Sequence, residues 1–326
     1  MDMNHPPAAL LSVALLLAPC AFSHAQTPLY PAKPVRIIVA TTAGGPYDET
    51  ARAIAPRLTE IWGQSVIVDN RPGAANIIGA TIAAKSPADG YTFFLANVAS
   101  QSINPALRKS LPYDPQRDFA PVTLMLASPM VLIVHPSMPV RSMKEMVALA
   151  KAKPGGLNYA SAGVGNLQHL AMELLQSLAK VRMNHIPYKG SAPASVDLIS
   201  GQVDLMFANI AGAMPNIRSG RVRAIAVSSA RGSTLLPGVP AVAASYPQFD
   251  VTTWMGLFAP AGTSREIIGK VGNDVNRVLR LPEMQERFAS LGQEIIAGTP
   301  EQLADYVRRD TTRYAAIIRE INLTPE

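Results

Sequence analysis

The sequence predicts an α/β protein, and two observations carry that prediction. Short runs rich in Val and Ile alternate with stretches whose apolar residues recur every three to four positions. This alternation is typical of largely parallel sheets with helices on both faces. Two glycines follow within a few residues of each of two runs, where a strand turns into a helix. Ligands of open α/β sheets bind beyond the carboxyl ends of strands, so these turns are the first candidates for a binding site.

The first 25 residues are typical of a secretory signal peptide. Residues 8–18 are apolar over a length too short to span a bilayer, and Ser23-His24-Ala25 supplies small residues at positions −3 and −1. We therefore expect residues 1–25 to be cleaved before Gln26 and the mature protein to be periplasmic. Two alternatives are a buried N-terminal helix and a lipoprotein anchored at Cys20, where the preceding proline is unfavourable.

Composition excludes several classes of protein. Cys20 is the only cysteine, so a chain cut before Gln26 has no disulfide, no thiolate nucleophile and no cysteine metal site. Cleavage removes one Asp and no Lys or Arg, so the formal net charge rises from +6 to +7. The positive balance favours anions. No basic run with interleaved aromatic residues predicts binding to nucleic acid, and we expect no metal and no cofactor.

Eight strands are predicted, each a short run bounded by turn residues. In chain order they are Val35–Val39, Val66–Asp69, Thr92–Leu95, Val131–Val134, Asn158–Ala160, His185–Pro187, Val203–Phe207 and Arg223–Val227. Helical periodicity is clearest in residues 167–178 and 267–278. Two further apolar stretches, Val122–Val134 and Val251–Pro260, contain prolines and are candidate crossings between domains.

These crossings predict two domains with a ligand cleft between them. The first domain is then discontinuous, with residues 27–127 plus 251–326, and the second is residues 128–250.

The first glycine corner follows the strand Val35–Val39. It consists of Thr41, Thr42, Ala43, Gly44 and Gly45, and a helix begins directly after it. The free N–H groups and the dipole of a helix N-terminus favour an anion. Asp48 is expected to cap the first helical turn. The alternative is an ordinary strand-to-helix turn.

The second glycine corner follows the strand Asn158–Ala160 and repeats this arrangement. It consists of Ser161, Ala162, Gly163, Val164, Gly165 and Asn166. A dinucleotide fingerprint is incomplete, since Gln168 occupies the third glycine position. An ordinary turn is again the alternative, but two such corners in different domains predict a clamp for an anion.

Other polar residues follow strands and are weaker candidates. Asn97 and Ser100 follow Thr92–Leu95, and Asn209 follows Val203–Phe207. Lys189 follows Tyr188 at another strand end, where a solvated lysine is the alternative. Signatures of catalysis are missing from the sequence: there is no GxSxG elbow, no Walker loop and no HExxH pair. His169, one turn into its helix, is expected to pack or cap, so no catalytic residue is predicted.

These segments, taken in order, resemble the Bug-type extracytoplasmic solute receptors of tripartite tricarboxylate transporters. The matching segments include residues 30–36, Gly44-Gly45 with Asp48, Asn70-Arg71-Pro72-Gly73-Ala74, residues 86–92, Gly163-Val164-Gly165 with His169, Pro187-Tyr188-Lys189-Gly190 and Gly201-Gln202-Val203-Asp204. The resemblance covers essentially the whole mature chain. It implies a two-lobed periplasmic binding protein of type II, the Venus-flytrap fold, that holds a carboxylate between the two glycine corners, partly through ordered water.

The resemblance also implies partners and a set of ligand-binding residues. The partners are a small carboxylate and the membrane subunits of a tripartite tricarboxylate transporter. The binding residues are Thr41, Thr42, Ala43, Gly44, Gly45, Tyr47, Asp48, Asn97, Ser100, Ser161, Ala162, Gly163, Asn166, Tyr188, Lys189, Asp204 and Asn209. The sequence departs from the family pattern at Ala40-Thr41-Thr42, Asn166 and Ala208, and Tyr47 and Asn166 are the choices for selectivity.

Two other functions fit the same pattern. One is an exported, ligand-sensing partner of a signalling kinase. The other is a secreted α/β enzyme acting on a carboxylate, which needs a nucleophile or metal that the sequence does not display. The sequence leaves the particular carboxylate open.

Overall fold

A computed structural model of the chain describes residues 30–323 and Met1. Apart from Met1, the predicted signal peptide at residues 1–25 lies outside the described residues. Between residues 30 and 323 the chain forms ten strands and ten α-helices, which confirms the α/β class. The strands are β1 (Val35–Val39), β2 (Val66–Asn70), β3 (Thr92–Asn97), β4 (Phe119–Val134), β5 (Asn158–Ser161), β6 (Asn184–Pro187), β7 (Leu205–Asn209), β8 (Arg223–Val227), β9 (Thr252–Pro260) and β10 (Glu294–Ile295).

The helices alternate with these strands over most of the chain. They are α1 (Pro46–Trp62), α2 (Ile77–Ala84), α3 (Asn104–Leu107), α4 (Met143–Ala152), α5 (Leu167–Ala179), α6 (Ser191–Ile199), α7 (Ile210–Arg218), α8 (Arg265–Leu279), α9 (Pro282–Ser290) and α10 (Pro300–Glu320). None of the helices in residues 30–323 is long and apolar enough to cross a membrane.

Helix α1 shows how the local sequence sets these boundaries. Pro46 opens the helix, where its missing N–H needs no partner. Gly63 ends the helix with a left-handed φ of 63° and donates its N–H to the Thr59 carbonyl over 2.9 Å. Ile54 and Leu58 are fully buried in one apolar cluster with β1. Their burial, together with the two end residues, fixes the helix against the sheet.

The strands follow one continuous path, in the order β2-β1-β3-β9-β4-β7-β5-β6. In one half of the molecule β1 lies between β2 and β3, parallel to both, and β9 runs antiparallel along β3. In the other half β5 lies between β6 and β7, again parallel to both. Strand β4 belongs to both halves, because its first part pairs with β9 and its last residues pair with β7 and β8.

The expectation of largely parallel sheets is wrong in one respect. Among the described strands, five of the nine pairings are antiparallel, and every one of the five includes β4 or β9. These are the two stretches predicted as crossings. A chain that passes from one half to the other and later returns has two segments of opposite direction. Here they lie side by side, with Ser128 opposite Thr253 and Pro129 opposite Thr252.

The C-terminal helices pack on the half that contains β1, β2 and β3. Trp62 of α1 donates its indole N–H to Asp274 of α8 over 2.8 Å. Trp254 of β9 donates its indole N–H to Asp310 of α10 over 2.9 Å. Both indoles are buried, so each carboxylate satisfies a donor that water cannot reach.

Candidate ligand-binding site

Strand register brings the two glycine corners to facing edges of the sheet. At the end of β3, Asn97 pairs with Met255 of β9, next to the point where β4 leaves this half at Ala127. On entering the other half, Met130 of β4 pairs with Asn209 at the end of β7. Three residues of extended strand span roughly 10 Å. The carboxyl ends of the parallel strands in both halves therefore lie on either side of residues 128–129.

An internal network holds the first glycine corner. The carboxylate of Asp48 accepts the Gly44 N–H over 2.8 Å and the Arg52 guanidinium over 2.9 Å. Arg52 also reaches the Asn70 side-chain oxygen at 3.1 Å, and the Asn70 amide donates to the Thr41 carbonyl at 3.2 Å. Burial raises the pKa of Asp48, but the hydrogen bonds from Arg52, Gly44 and Asn70 outweigh it and bring that pKa below its ordinary value. The Asp48 carboxylate therefore holds the backbone of the first glycine corner in place through its hydrogen bonds to Gly44 and Arg52.

The start of α1 leaves several donors free for a ligand. Within residues 30–323 the backbone N–H groups of Gly45, Tyr47 and Asp48 have no acceptor, as expected for the first turn of a helix. The Thr41 hydroxyl is buried and also has no hydrogen-bond partner in this range. Thr42, Ala43 and Gly44 are exposed at the same edge. The Thr41 hydroxyl thus adds a side-chain donor to the backbone N–H groups of this corner.

Tyr47 is fixed by the neighbouring strand end. Burial raises its pKa to about 12, while a hydrogen bond with the Asn97 side chain opposes the rise, so its hydroxyl stays protonated at neutral pH. The Asn97 side-chain oxygen accepts the N–H of Ser100 at 2.9 Å and the side-chain amide of Asn76 at 3.3 Å. Ser100 in turn donates its hydroxyl to the Asn97 carbonyl at 3.1 Å. Asn97 thus holds the Tyr47 side chain by a hydrogen bond, and Ser100 holds Asn97.

The second glycine corner uses left-handed backbone at two glycines. Gly163 has a φ of 137° and Gly165 a φ of 76°, which residues with a Cβ rarely adopt. Asn166 caps α5, and its side-chain oxygen accepts the His169 N–H at 2.9 Å. The side chain of Gln168 accepts the Ala162 N–H at 2.8 Å.

Three backbone donors remain free at this second corner. In the described part of the chain the N–H groups of Val164, Leu167 and Gln168 have no acceptor. Val164 is 62% exposed, so its N–H lies at an open edge. The buried Ser161 hydroxyl is engaged with Gly163 and with a neighbouring histidine. Each corner thus offers a helix N-terminus with about three free N–H donors.

The remaining predicted site residues divide into two groups. Asn209 is exposed at the same edge as Gly163, and Lys189 is exposed without a hydrogen bond to another residue in the range 30–323. Tyr188 donates its hydroxyl hydrogen bond to Asp197 of α6 at 2.6 Å, so this hydroxyl is already bonded to a residue of the same half of the molecule.

Asp204 does not join the other predicted site residues. It precedes β7, and its carboxylate accepts the N–H of Asn158, the first residue of the parallel strand β5, at 2.7 Å. It therefore lies at the opposite edge of the sheet from both corners. The cause is its place in the chain: Asp204 stands at the amino end of β7, whereas both glycine corners follow the carboxyl ends of their strands.

Residues 73–76 form a loop beside the first glycine corner that was not among the predicted site residues. Ala74, Ala75 and Asn76 all have positive φ, at 47°, 51° and 76°, which is unusual for residues other than glycine. The Asn104 amide donates to the Ala75 carbonyl at 2.7 Å and helps to hold this loop beside Asn97. Strained backbone of this kind often occurs at ligand clamps. Gly73-Ala74 belonged to the matching segments, but no local pattern predicts three left-handed residues in a row.

The charged groups of the first glycine corner are paired with each other. Arg52 is engaged by Asp48 and Asn70, so recognition at this corner falls to backbone N–H groups and neutral side chains. In residues 30–323 no group of three or more His, Cys, Asp or Glu side chains is arranged to hold a metal ion.

Comparison with known proteins places this geometry among solute receptors. The model of the tripartite tricarboxylate transporter family receptor, TctC, matches residues 50–323. Protein BugT of Bordetella pertussis is 37% identical over 293 residues, which cover 89% of this chain and 90% of BugT. A UPF0065 protein encoded between tcbD and tcbE in Pseudomonas sp. (strain P51) is 37% identical over 316 residues, with 96% and 94% covered.

Solved structures of similar chains share the fold. Rpa4515 of R. palustris with adipate has a TM-score of 0.73 and 32% identity, covering 91% of this chain and all of that one. MatC from Rhodopseudomonas palustris with bound malate has a TM-score of 0.69 and 31% identity, covering 89% and 100%. The periplasmic binding protein BugD has a TM-score of 0.69 and 34% identity, covering 91% and 100%. The fold is therefore that of a two-lobed periplasmic binding protein.

Proposed function

Since this chain belongs to the tripartite tricarboxylate transporter receptor family, we propose that it captures a small dicarboxylate between two lobes. One lobe comprises residues 27–127 plus 251–326, and the other residues 128–250. The two glycine corners line the cleft between them. The receptor is exported through its signal peptide and delivers its ligand to the membrane subunits of a tripartite tricarboxylate transporter.

One observation carries the proposal: two helix N-termini, each with free N–H donors, lie on facing edges of the sheet. Charge-assisted hydrogen bonds from N–H groups contribute about 1.5–3 kcal/mol each. Two or three such bonds to one carboxylate supply much of the ~8 kcal/mol of a micromolar complex. Closure of the lobes adds the burial of the ligand. A ligand with one anionic group per corner uses both sets of donors.

The ligands of two structural neighbours also support a dicarboxylate as the ligand class. Adipate is bound to Rpa4515 and malate to MatC, and both ligands are dicarboxylates. With Asp48 and Arg52 paired to each other, this chain presents no free cationic side chain at the first corner, so backbone donors decide recognition. Thr41 adds one hydroxyl, and Tyr47 and Asn166 are the side chains placed to select among dicarboxylates.

Isothermal titration calorimetry with matched acids tests this function. Adipate and malate are compared with hexanoate, which has the same carbon chain as adipate and one carboxylate fewer. We expect a dicarboxylate to bind with a Kd in the micromolar range and hexanoate to bind roughly 100-fold more weakly, because one corner loses two N–H bonds. Equal binding of adipate and hexanoate contradicts the two-ended site, and no heat with any carboxylate contradicts the function.

A further inference from the structure

Behind the second glycine corner lies a stack of three rings: Tyr159, His185 and His169. The two imidazole rings have centroids 4.0 Å apart and planes 9° apart, and Tyr159 stacks on His185 at 4.8 Å and 12°. The rings come from β5, β6 and α5, so the stack joins three elements next to the corner. We refer to these three rings as the ring stack.

Each histidine of the ring stack holds one of the two glycines. The Gly165 N–H donates to Nδ1 of His169 at 3.0 Å. Nε2 of His185 lies 2.6 Å from the Ser161 hydroxyl, which accepts the Gly163 N–H at 3.1 Å. The left-handed backbone is therefore hydrogen-bonded to an imidazole at both glycines, directly at Gly165 and through the Ser161 hydroxyl at Gly163.

The hydrogen bond from Gly165 depends on a neutral His169. Nδ1 of His169 accepts a hydrogen bond only when that nitrogen carries no proton. Burial lowers the pKa of His169 to about 4, with a further contribution from His185, and burial lowers the pKa of His185 to about 4. The titratable groups that face the pair are Tyr159, which donates its hydroxyl to the Glu173 carboxylate, and Glu173, whose oxygen lies 3.9 Å from Nε2 of His169.

We propose that His169 and His185 are positioning residues for ligand binding, because as a neutral stacked pair they fix Gly163 and Gly165 so that the free N–H groups of residues 164–168 point at the ligand. Neither ring contacts the ligand. The proposal rests on the function proposed above and assigns the ring stack a role that the overall fold does not require. Protonation of His169 removes the acceptor for Gly165, and protonation of both imidazoles places two cations with ring centroids 4.0 Å apart.

Three variants separate positioning from simple packing. His169→Phe keeps a stacked ring but has no acceptor, so adipate binding at pH 7 weakens by about tenfold, the worth of one hydrogen bond. His169→Gln restores an acceptor oxygen and returns most of the affinity. His135→Phe is the matched control: His135 lies at the opposite end of the sheet, beside Gly201, and its variant binds like the wild type. Unchanged affinity in His169→Phe, or equal loss in Phe and Gln variants, overturns the proposal.

A measurement without ligand keeps this test independent of the ligand's identity. In ¹⁵N-labelled, ligand-free protein the Gly165 amide resonance is followed from pH 7 to pH 3.5, together with the imidazole resonances of His169. We expect both to move with one midpoint near pH 4, and the Gly165 movement to vanish in His169→Phe. A Gly165 resonance that stays still, or moves equally in the variant, contradicts the proposal. If wild-type protein binds no carboxylate but this titration is seen, the proposed function fails while the fastening of the corner stands.

Discussion

Replacement of Gly163 by valine tests the second glycine corner. At a φ of 137° a β-branched residue costs about 1–3 kcal/mol, and the new Cβ lies 3.4 Å from the Tyr188 carbonyl oxygen. The backbone must therefore shift, and the free N–H groups after Gly163 turn away from the ligand. Loss of two charge-assisted hydrogen bonds removes about 3–6 kcal/mol of binding free energy, which is at least a 100-fold rise in Kd.

Calorimetry with adipate at pH 7 measures this loss, and thermal unfolding measures the accompanying change in stability. We expect binding to disappear while the Tm falls by only a few degrees. Gly220→Val is the matched control, because Gly220 also has a left-handed φ, 73°, but lies in a turn with no atom within 4 Å of a new Cβ. It should lose stability and keep its affinity. A Gly163→Val protein that binds within threefold of wild type refutes the clamp.

Three further predictions concern the same site. Asp48→Asn weakens the hydrogen bonds to Gly44 and Arg52, so we expect the adipate Kd measured by calorimetry to rise about tenfold. Asp305→Asn removes an exposed ion pair and should leave the adipate Kd unchanged. Equal Kd values in both variants would count against a positioning role for Asp48. The buried His169 and the half-buried His185 have pKa values of about 4 against 6.5 unfolded, so the unfolded chain binds more protons between those pH values. As the pH falls from 6.5 towards 4, the free energy of unfolding therefore falls by up to about 1.4 kcal/mol per pH unit for His169 and by less for His185. Denaturant titrations at pH 7 and 5 check this fall, and a pH-independent difference between wild type and His169→Phe would contradict it. Native mass spectrometry of gently purified protein should show a dicarboxylate that is lost on denaturation; a co-purified cation or sugar would contradict the ligand class.

Parts of the fold follow directly from local sequence. β1 and β8 have the predicted bounds, because each is an apolar run ended by small or polar residues. The direction of β4 and β9 was not predictable, since an apolar run looks the same in parallel and antiparallel pairing. Only contacts distant in sequence, such as Ser128 opposite Thr253, decide it.

The candidate site was predictable where its geometry depends on glycine backbone with positive φ. Gly44 and Gly163 mark their corners because their backbone needs positive φ, a requirement visible in the sequence. Side-chain partners were not predictable: Tyr188 turns to Asp197, and Asp48 is enclosed by Arg52 and Gly44. Such pairings depend on three-dimensional packing, which a single sequence does not encode in any local pattern.

In the proposed complex both helix N-termini hold one ligand. Amide chemical shifts of ¹⁵N-labelled protein titrated with adipate, and then with malate, follow the two corners separately. We expect the amides of Gly45 and Tyr47 in one lobe and of Val164 and Gln168 in the other to move together, with a single Kd. Shifts confined to one corner, or to a surface away from both, would contradict it.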